Sequence, residues 1–448
     1  MRLLDTTTLQ LREFIHSNLP AYAILSHTWG DEEISYQEWC MFGDEWQDAA
    51  GIMHYSLTAD FKQAARLRKE KAGYKKIEAF CNLSRQDGYK WAWVDTCCID
   101  KSSSSELSEA INSMYLWYQK SSRCYVYMAD VSKGNITLPV RIDDELTGGL
   151  PRLHSVVGQP SNANLLKQSE FSTSRWFKRG WTLQELIAPA HVHFYDREWL
   201  NFGSRKNMAG AISQITGIPI EVISHGLYWR DNYTVAERIS WAADRITTRE
   251  EDGSYCLLGL LDVHMPLLYG EGGTNAFKRL QEEIIKTTPD HSIFAWVLRG
   301  KRSLSHDLDG YFGPVLAASP QAFSVLPKFV LNPPKSNATS TIRSESSYAV
   351  TNRGLYIELP IIEHDSFAHQ CCFDHECSIA LLDCWTEREG IFKRIGIHLS
   401  QDNPDLKWFD RCHCHTLVEI ADEVETEGTI SLKQVYIRAS GVWIEQVG

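Results

Sequence analysis

The feature that most constrains the fold is an alternation of short apolar runs with amphipathic helical segments over the first 200 residues. Four apolar runs have the length of a strand, in some cases with the start of the loop that follows it. They are Ala21–Ser26, the segment that begins at Trp91, Arg123–Asp130 and His191–Asp196. Segments with helical spacing of apolar residues lie between them, at about 60–87 and again after Ser103. Strands that alternate with helices form βα units, so the sequence predicts an α/β domain with a mainly parallel sheet.

Polar residues follow the apolar runs at the points where the strands are expected to end. His27 and Trp29 follow the first run, Asp95 follows the second and Asp130 ends the third. The carboxyl edge of an open α/β sheet is where ligands bind, so we expect these residues to meet at one edge. A buried histidine and a tryptophan that plugs the sheet are equally compatible with the pattern.

One carboxylate stands in the first turn of a short helical segment. Glu185 lies four residues after Trp181, and Pro189 ends the helix because proline has no N–H for the helical ladder. Two interpretations remain open. Thr182 and Glu185 have the spacing of a capping box, which would tie the acid to the backbone. Alternatively, the acid is catalytic, and the nearby Arg179 pairs with a phosphate and not with a surface carboxylate.

The rest of the chain changes character twice. From about 232 to 290 the pattern is helical, with Thr234 and Thr274 as expected caps. From about 305 onward, short segments of alternating apolar and polar residues indicate an all-β domain. We therefore expect an α/β domain at 1–225, a helical extension at 226–300 and a β-rich C-terminal domain at 301–448.

Composition and charge exclude several classes of partner. The 448 residues carry a net charge of -12 without a long basic run, which argues against nucleic acid. The best apolar run, Tyr255–His264, includes Asp262 and is too short to cross a bilayer, so no membrane partner is expected. The N-terminal residues lack the apolar core of a secretory signal, so the 12 cysteines indicate reduced thiols in a cytoplasmic protein.

Cysteine and histidine suggest two further kinds of site. Cys97 and Cys98 would serve a cysteine hydrolase with His27 as base, although buried structural thiols fit the same pattern. Two groups of potential zinc ligands lie near 369–377 and 412–415: His369, Cys371, Cys372, His375, Cys377, Cys412, His413, Cys414 and His415. Their spacing is irregular, and adjacent residues on a strand point to opposite faces, so the sequence predicts no metal.

Three blocks of the α/β region together carry a resemblance to a known family. They are Ala21–Asp31, with the sequence Ser-His-Thr-Trp-Gly-Asp at its end, Trp91–Lys101, and Arg179–Pro189. They resemble the signature blocks of the fungal heterokaryon-incompatibility (HET) domain, over about residues 20–200. The segment from Tyr255 to Glu271 is similar to what usually follows that domain.

The resemblance implies a role in fungal non-self recognition and programmed cell death, a form of innate immunity. It also implies a flavodoxin-like sheet similar to that of TIR domains, several of which cleave NAD with a glutamate. Glu185 matches that glutamate, whereas Trp181 is separated from it by one residue more than in TIR domains. We expect NAD or a related nucleotide as substrate with no resident cofactor, and self-association and an upstream recognition protein as partners. The residues expected to bind the nucleotide are His27, Trp29, Gly30, Asp31, Asp95, Arg179 and Trp181.

Such a reaction needs few catalytic groups from the protein. The nicotinamide leaves as a neutral ring from a cationic one, so the barrier is positive charge that develops on the ribose. A carboxylate near the ribose hydroxyls stabilises that charge and orients water. The opposing hypothesis is a non-enzymatic signalling adaptor that acts only through protein contacts.

Overall fold

The structure is a computed structural model that divides into two compact units, Met1–Trp229 and Arg230–Gly448. It describes residues 1–15, 18–40, 45–47, 53–55, 66–132, 169–226, 232–298, 311–331, 346–362, 377–401, 408–421, 430–439 and 444–445. Within these ranges, no helix combines the length and the apolar character needed to cross a membrane.

The N-terminal unit is built on a seven-stranded sheet with the order β2-β1-β6-β3-β7-β8-β9. The strands are β1 (Arg2–Asp5), β2 (Leu11–Glu13), β3 (Tyr22–His27), β6 (Trp91–Trp93), β7 (Arg123–Tyr127), β8 (Val192–Tyr195) and β9 (Asn201–Ser204), with a separate hairpin of β4 (Glu45–Gln47) and β5 (Met53–Tyr55). The helices are α1 (Tyr36–Cys40), α2 (Ala72–Gln86), α3 (Asp95–Cys98), α4 (Ser104–Lys120), α5 (Glu170–Thr173), α6 (Thr182–Ile187), α7 (Ala209–Thr216) and α8 (Ile220–His225).

The sheet is mixed, which corrects the expectation of a mainly parallel one. The four central strands β6, β3, β7 and β8 pair in parallel, as the alternation of strands and helices predicts. However, β1, β2 and β9 add antiparallel pairings at both sides. These three strands have only three or four residues each, too few to show a period in the sequence.

The central strand β3 is fully buried, and amphipathic helices pack around it. The apolar face expected in the first helical segment is confirmed, because α2 buries Tyr74, Ile77 and Phe80. In α4, Ser103 caps the helix by accepting a hydrogen bond from the Glu106 amide. The parallel strands therefore deliver their carboxyl ends to a common edge, next to the N-termini of α3 and α6.

The helices of the C-terminal unit come first along the chain. They are α9 (Val235–Ser240), α10 (Asp252–Tyr255), α11 (Leu258–Leu261) and α12 (Gly273–Thr287), followed by a 3-10 turn at His291–Phe294. The predicted cap Thr234 is confirmed and forms a complete capping box with Glu237. The predicted cap Thr274 is wrong, because α12 begins one residue earlier and follows Gly272, which has a positive φ of 81°.

A closed ring of five strands forms the centre of the C-terminal unit. The strands are β10 (Tyr311–Phe312), β11 (Phe329–Val330), β12 (Ala349–Thr351), β13 (Gly354–Ile362), β14 (Cys377–Arg388), β15 (Ile391–Ser400), β16 (Trp408–Arg411), β17 (Val418–Ala421), β18 (Ile430–Ile437) and β19 (Ile444–Glu445). The order β13-β14-β15-β16-β18 closes because β18 pairs with β13. Strands β11, β12 and β17 pair with β14, β13 and β15, respectively.

Candidate functional site

The helix that carries Glu185 begins without a side-chain cap. Trp181 occupies the capping position of α6, and its side chain makes no capping hydrogen bond. The Thr182 hydroxyl instead donates to the carbonyls of Trp176, at 2.5 Å, and Arg179, at 2.9 Å. The capping box read from Thr182 and Glu185 is therefore wrong, because the threonine hydroxyl is used to close the preceding turn.

The Glu185 carboxylate enters a short buried chain of hydrogen bonds. Its Oε2 accepts from the Ser26 hydroxyl at 2.5 Å, and Ser26 Oγ accepts from the Trp176 indole N–H at 2.8 Å. Only 6% of Glu185 is exposed. Trp176 is thus linked to the acid through Ser26, and Trp181 is half-buried immediately before the helix.

Tyr118 lies between the acid and the end of the central strand. Its hydroxyl donates to the Leu25 carbonyl at 2.9 Å. Burial raises the pKa of Tyr118 well above its usual value, and the negative charges of Glu185 and Asp95 act in the same direction. Both carboxylates therefore lie within electrostatic range of one phenol, and that phenol remains protonated at neutral pH.

His27, the last residue of β3, is buried beside Asp95. Its Nε2 is 3.4 Å from Oδ1 of Asp95, and the histidine side chain is 1% exposed. Neither ring nitrogen has a hydrogen-bond partner among the described residues. Burial and the charge of Lys76 lower the pKa of His27 to about 4, although Asp95 opposes this shift. His27 is therefore neutral at physiological pH and is available to accept or donate one hydrogen bond.

Asp95 organises the exposed side of the same edge. Its Oδ2 accepts from the Trp29 indole N–H at 2.8 Å and lies 3.8 Å from the Lys101 amine. Burial would raise the pKa of Asp95, but Lys101, the Trp29 hydrogen bond and Arg179 contribute to lowering it, and the pKa lies below its usual value. Lys101 also lies over the Trp29 ring at 3.6 Å, and the Arg179 guanidinium lies 5.2 Å from the same ring. An ionised acid, an aromatic face and two cations thus share one surface.

The loop after β3 is held by a second acid. Glu33 Oε1 accepts from the Gly30 amide at 2.8 Å and from the Lys76 amine at 2.5 Å. Burial would raise the pKa of Glu33, but these donors contribute to lowering it. Asp31, the remaining predicted residue of the loop, is exposed.

The structure therefore brings together most of the residues expected from the sequence, in two adjoining groups. His27, Trp29, Asp95 and Arg179 form the first, which we call the strand-end cluster and which also contains Lys101. Glu185 belongs to the second, with Ser26, Trp176 and Tyr118. Ser26 and His27 are consecutive on β3, so their side chains point to opposite faces of the sheet. Sequence reasoning missed Ser26, Lys101 and Trp176, although all three lie inside the signature blocks or next to them.

The thiols near this edge do not resemble a nucleophile. Cys97 is buried, and burial raises the pKa of its thiol well above the usual value. Cys98 accepts a hydrogen bond from the Val94 amide at 3.4 Å. A thiolate is therefore disfavoured, which argues against the cysteine-hydrolase interpretation.

Comparison with known proteins gives a family match in the N-terminal unit. Residues 22–185 match the family model of the heterokaryon incompatibility protein (HET), and residues 275–377 match a domain of unknown function, DUF8212. The chain is 40% identical over 270 residues to the vegetative incompatibility protein HET-E-1 of Podospora anserina, which is 60% of this chain and 16% of that protein. No solved structure matches the chain. The residues of the strand-end cluster and Glu185, the last matched residue, fall within the matched family region.

Proposed function

We propose that this chain, which carries a HET domain over residues 22–185, acts in heterokaryon incompatibility and that its N-terminal unit hydrolyses NAD or a related nucleotide. The first part rests on the family match and on the similarity to a vegetative incompatibility protein, of which the chain spans about a sixth. The second part rests on one observation. Two carboxylates adjoin the carboxyl end of the central strand: Glu185 accepts from the Ser26 hydroxyl at 2.5 Å, and Asp95 lies 3.4 Å from the ring of the next residue, His27.

The order of the parallel strands supports a flavodoxin-like, and hence TIR-like, arrangement. Numbered along the chain, the four parallel strands β3, β6, β7 and β8 lie in the spatial order 2-1-3-4. This is the order with which flavodoxin-like sheets begin, and ligands bind in such sheets at the carboxyl ends of the strands next to the point where the order reverses. The order reverses between β3 and β7, so His27 at the end of β3 stands at that point, and Asp95 follows the neighbouring strand β6.

The charges of the site suit a dinucleotide whose phosphates and reacting ribose bind to different groups of residues. Lys101 and Arg179 on the Trp29 ring would bind phosphate oxygens, because an anion pairs with both cations without displacing them. A cationic nicotinamide would have to displace Lys101 from the same ring. We therefore place the phosphates at the strand-end cluster and the reacting ribose at Glu185, where the carboxylate stabilises positive charge on the sugar.

Access to Glu185 sets the condition for activity. With 6% of the residue exposed and its Oε2 bonded to Ser26, a substrate reaches the acid only after a rearrangement at this edge. Self-association would supply such a rearrangement, and depletion of NAD would then trigger cell death. The same burial favours the second candidate, a signalling adaptor in which Glu185 only stabilises the fold.

The deciding experiment measures nicotinamide release from NAD by the full chain, both as purified and fused to an oligomerising domain. We expect release from the oligomerised protein and its loss in the Glu185→Gln variant, because the amide carries no charge to stabilise the ribose cation. Glu78→Gln is the matched control, since Glu78 is exposed on α2. Undiminished release of nicotinamide by the Glu185→Gln variant would exclude the catalytic role of Glu185. If no oligomerised sample released nicotinamide, the adaptor would remain as the function of the chain.

A further inference from the structure

Two cysteines and a histidine from separate parts of the C-terminal unit meet in its interior. Cys377 is the first residue of β14, and Cys412 and His413 follow the last residue of β16. Their ligand atoms all lie within 4.8 Å of one another, and the residues are 5%, 1% and 6% exposed, respectively. This is the one group of three or more potential metal ligands found in the described parts of the chain.

The distance between the two sulfurs fits a shared metal ion better than a disulfide. The Sγ atoms of Cys377 and Cys412 are 3.4 Å apart. A disulfide would bring them to about 2.05 Å. Two thiolates on one tetrahedral zinc ion, each with a Zn–S bond of about 2.3 Å, lie about 3.8 Å apart.

The backbone at His413 explains why adjacent residues can serve the same site. On a regular strand, Cys412 and His413 would point to opposite faces, which is the reason that the sequence argued against zinc. However, β16 ends at Arg411, and His413 has a φ of 48° in the left-handed region. That conformation is uncommon for a residue other than glycine and is retained mainly where the surrounding structure or a function requires it. The rule that adjacent strand residues point to opposite faces therefore does not apply to Cys412 and His413.

A fourth ligand has to come from outside the 4.8 Å group, and His398 lies beside that group. It lies near the end of β15, its ring centroid is 5.0 Å from that of His413, and its carbonyl accepts from the Cys412 amide at 3.1 Å. His415 is exposed, and its ring is 5.9 Å from that of His413. Cys414 directs its thiol to the Arg411 carbonyl at 3.6 Å. The other candidates from the sequence, His369, Cys371, Cys372 and His375, lie outside the described residues.

From this arrangement we infer that Cys377, Cys412, His413 and His398 bind one zinc ion in the C-terminal unit. Two thiolates and two neutral imidazoles are a set typical of structural zinc, and they balance the charge of Zn²⁺ in a buried site. The ion would connect the start of β14 with the ends of β15 and β16. It would thus hold together three strands of the closed ring, independently of the reaction proposed for the N-terminal unit.

The experiment uses the full chain, purified without chelator from cells grown with added zinc. We expect about one zinc per chain by mass spectrometry of the metal. After exchange, we expect Co²⁺ to give the absorption bands of a tetrahedral site with thiolate ligands. Cys377→Ser and Cys412→Ser should lose both signals. Cys384→Ser is the matched control, because Cys384 is equally buried on the same strand β14 and lies outside the cluster.

A variant that keeps both thiols guards against misfolding as the cause of metal loss. His398→Asn should retain the fold by circular dichroism and release zinc to a competing chelator at least tenfold more readily, as loss of one ligand predicts. Zinc retention equal to that of the unaltered chain would overturn the assignment of His398. Wild-type protein without zinc or Co²⁺ binding, or with Cys377 and Cys412 joined in a disulfide, would overturn the site itself.

Discussion

The buried histidine at the end of β3 makes the stability of the N-terminal unit depend on pH in a way that the structure quantifies. The unfolded chain takes up a proton on His27 as the pH falls through about 6.5, whereas burial and Lys76 keep the folded pKa at about 4. Between these values the unfolded state binds more protons, so acid favours unfolding. This destabilisation by His27 is nearly absent above pH 7 and is complete below pH 4.

The size of the effect follows from the shift in pKa. A difference of 2.5 units, at 1.36 kcal/mol per unit, corresponds to about 3 kcal/mol when complete. Between pH 7 and pH 5, the expected loss of unfolding free energy from this one residue is about 2 kcal/mol. The pKa values of Asp95 and Glu33 are lowered in the folded state. Protonation of these carboxylates at lower pH therefore also reduces the free energy of unfolding.

The measurement is a urea titration of the full chain at pH 7, 6 and 5, read by pulsed hydrogen exchange in peptides that contain β3. Comparison with His27→Gln isolates the histidine, because the variant keeps the carboxylates and cannot take up the proton. We expect the unaltered chain to lose about 2 kcal/mol more than the variant between pH 7 and pH 5. Equal pH dependence of the two proteins, within about 0.5 kcal/mol, would refute the burial of a neutral His27.

Two further substitutions test individual contacts. Ser26→Ala should destabilise the N-terminal unit by about 1–3 kcal/mol, because it removes the hydroxyl that forms hydrogen bonds with Glu185 and Trp176. A change in unfolding free energy under about 0.5 kcal/mol in urea titrations would contradict that chain of hydrogen bonds. Thr234→Ala should cost about 1 kcal/mol through loss of the capping box on α9, as peptide-resolved exchange over Val235–Ser240 would show, whereas Thr274→Ala should have little effect.

The main lines of the N-terminal unit follow from local patterns. Apolar runs bounded by polar residues define β3, β6, β7 and β8, and helical spacing defines the buried face of α2. The contact of His27 with Asp95 also follows, because parallel strands place their carboxyl ends at one edge. These features depend on residues that are close in the chain or on a general rule of topology.

The features that sequence reasoning missed depend on contacts between distant residues. Ser26 and Glu185 are 159 positions apart, so no local pattern reveals their hydrogen bond. The hydrogen bond from Trp176 to Ser26 likewise joins residues that are 150 positions apart. The expected capping box failed because α6 begins at Thr182 itself, so that Trp181 occupies the capping position and the Thr182 hydroxyl donates to carbonyls of the preceding turn.

The closed ring of the C-terminal unit has a consequence for protein synthesis. Leu355 of β13 pairs with Ile437 of β18, so the ring cannot close until nearly all of that unit has left the ribosome. The seven-stranded sheet of the N-terminal unit is complete at Ser204 of β9, more than 200 residues earlier. A nascent chain therefore passes through a long interval in which a finished N-terminal sheet is followed by strands that still lack their partners, and translation speed over this interval governs its exposure to aggregation.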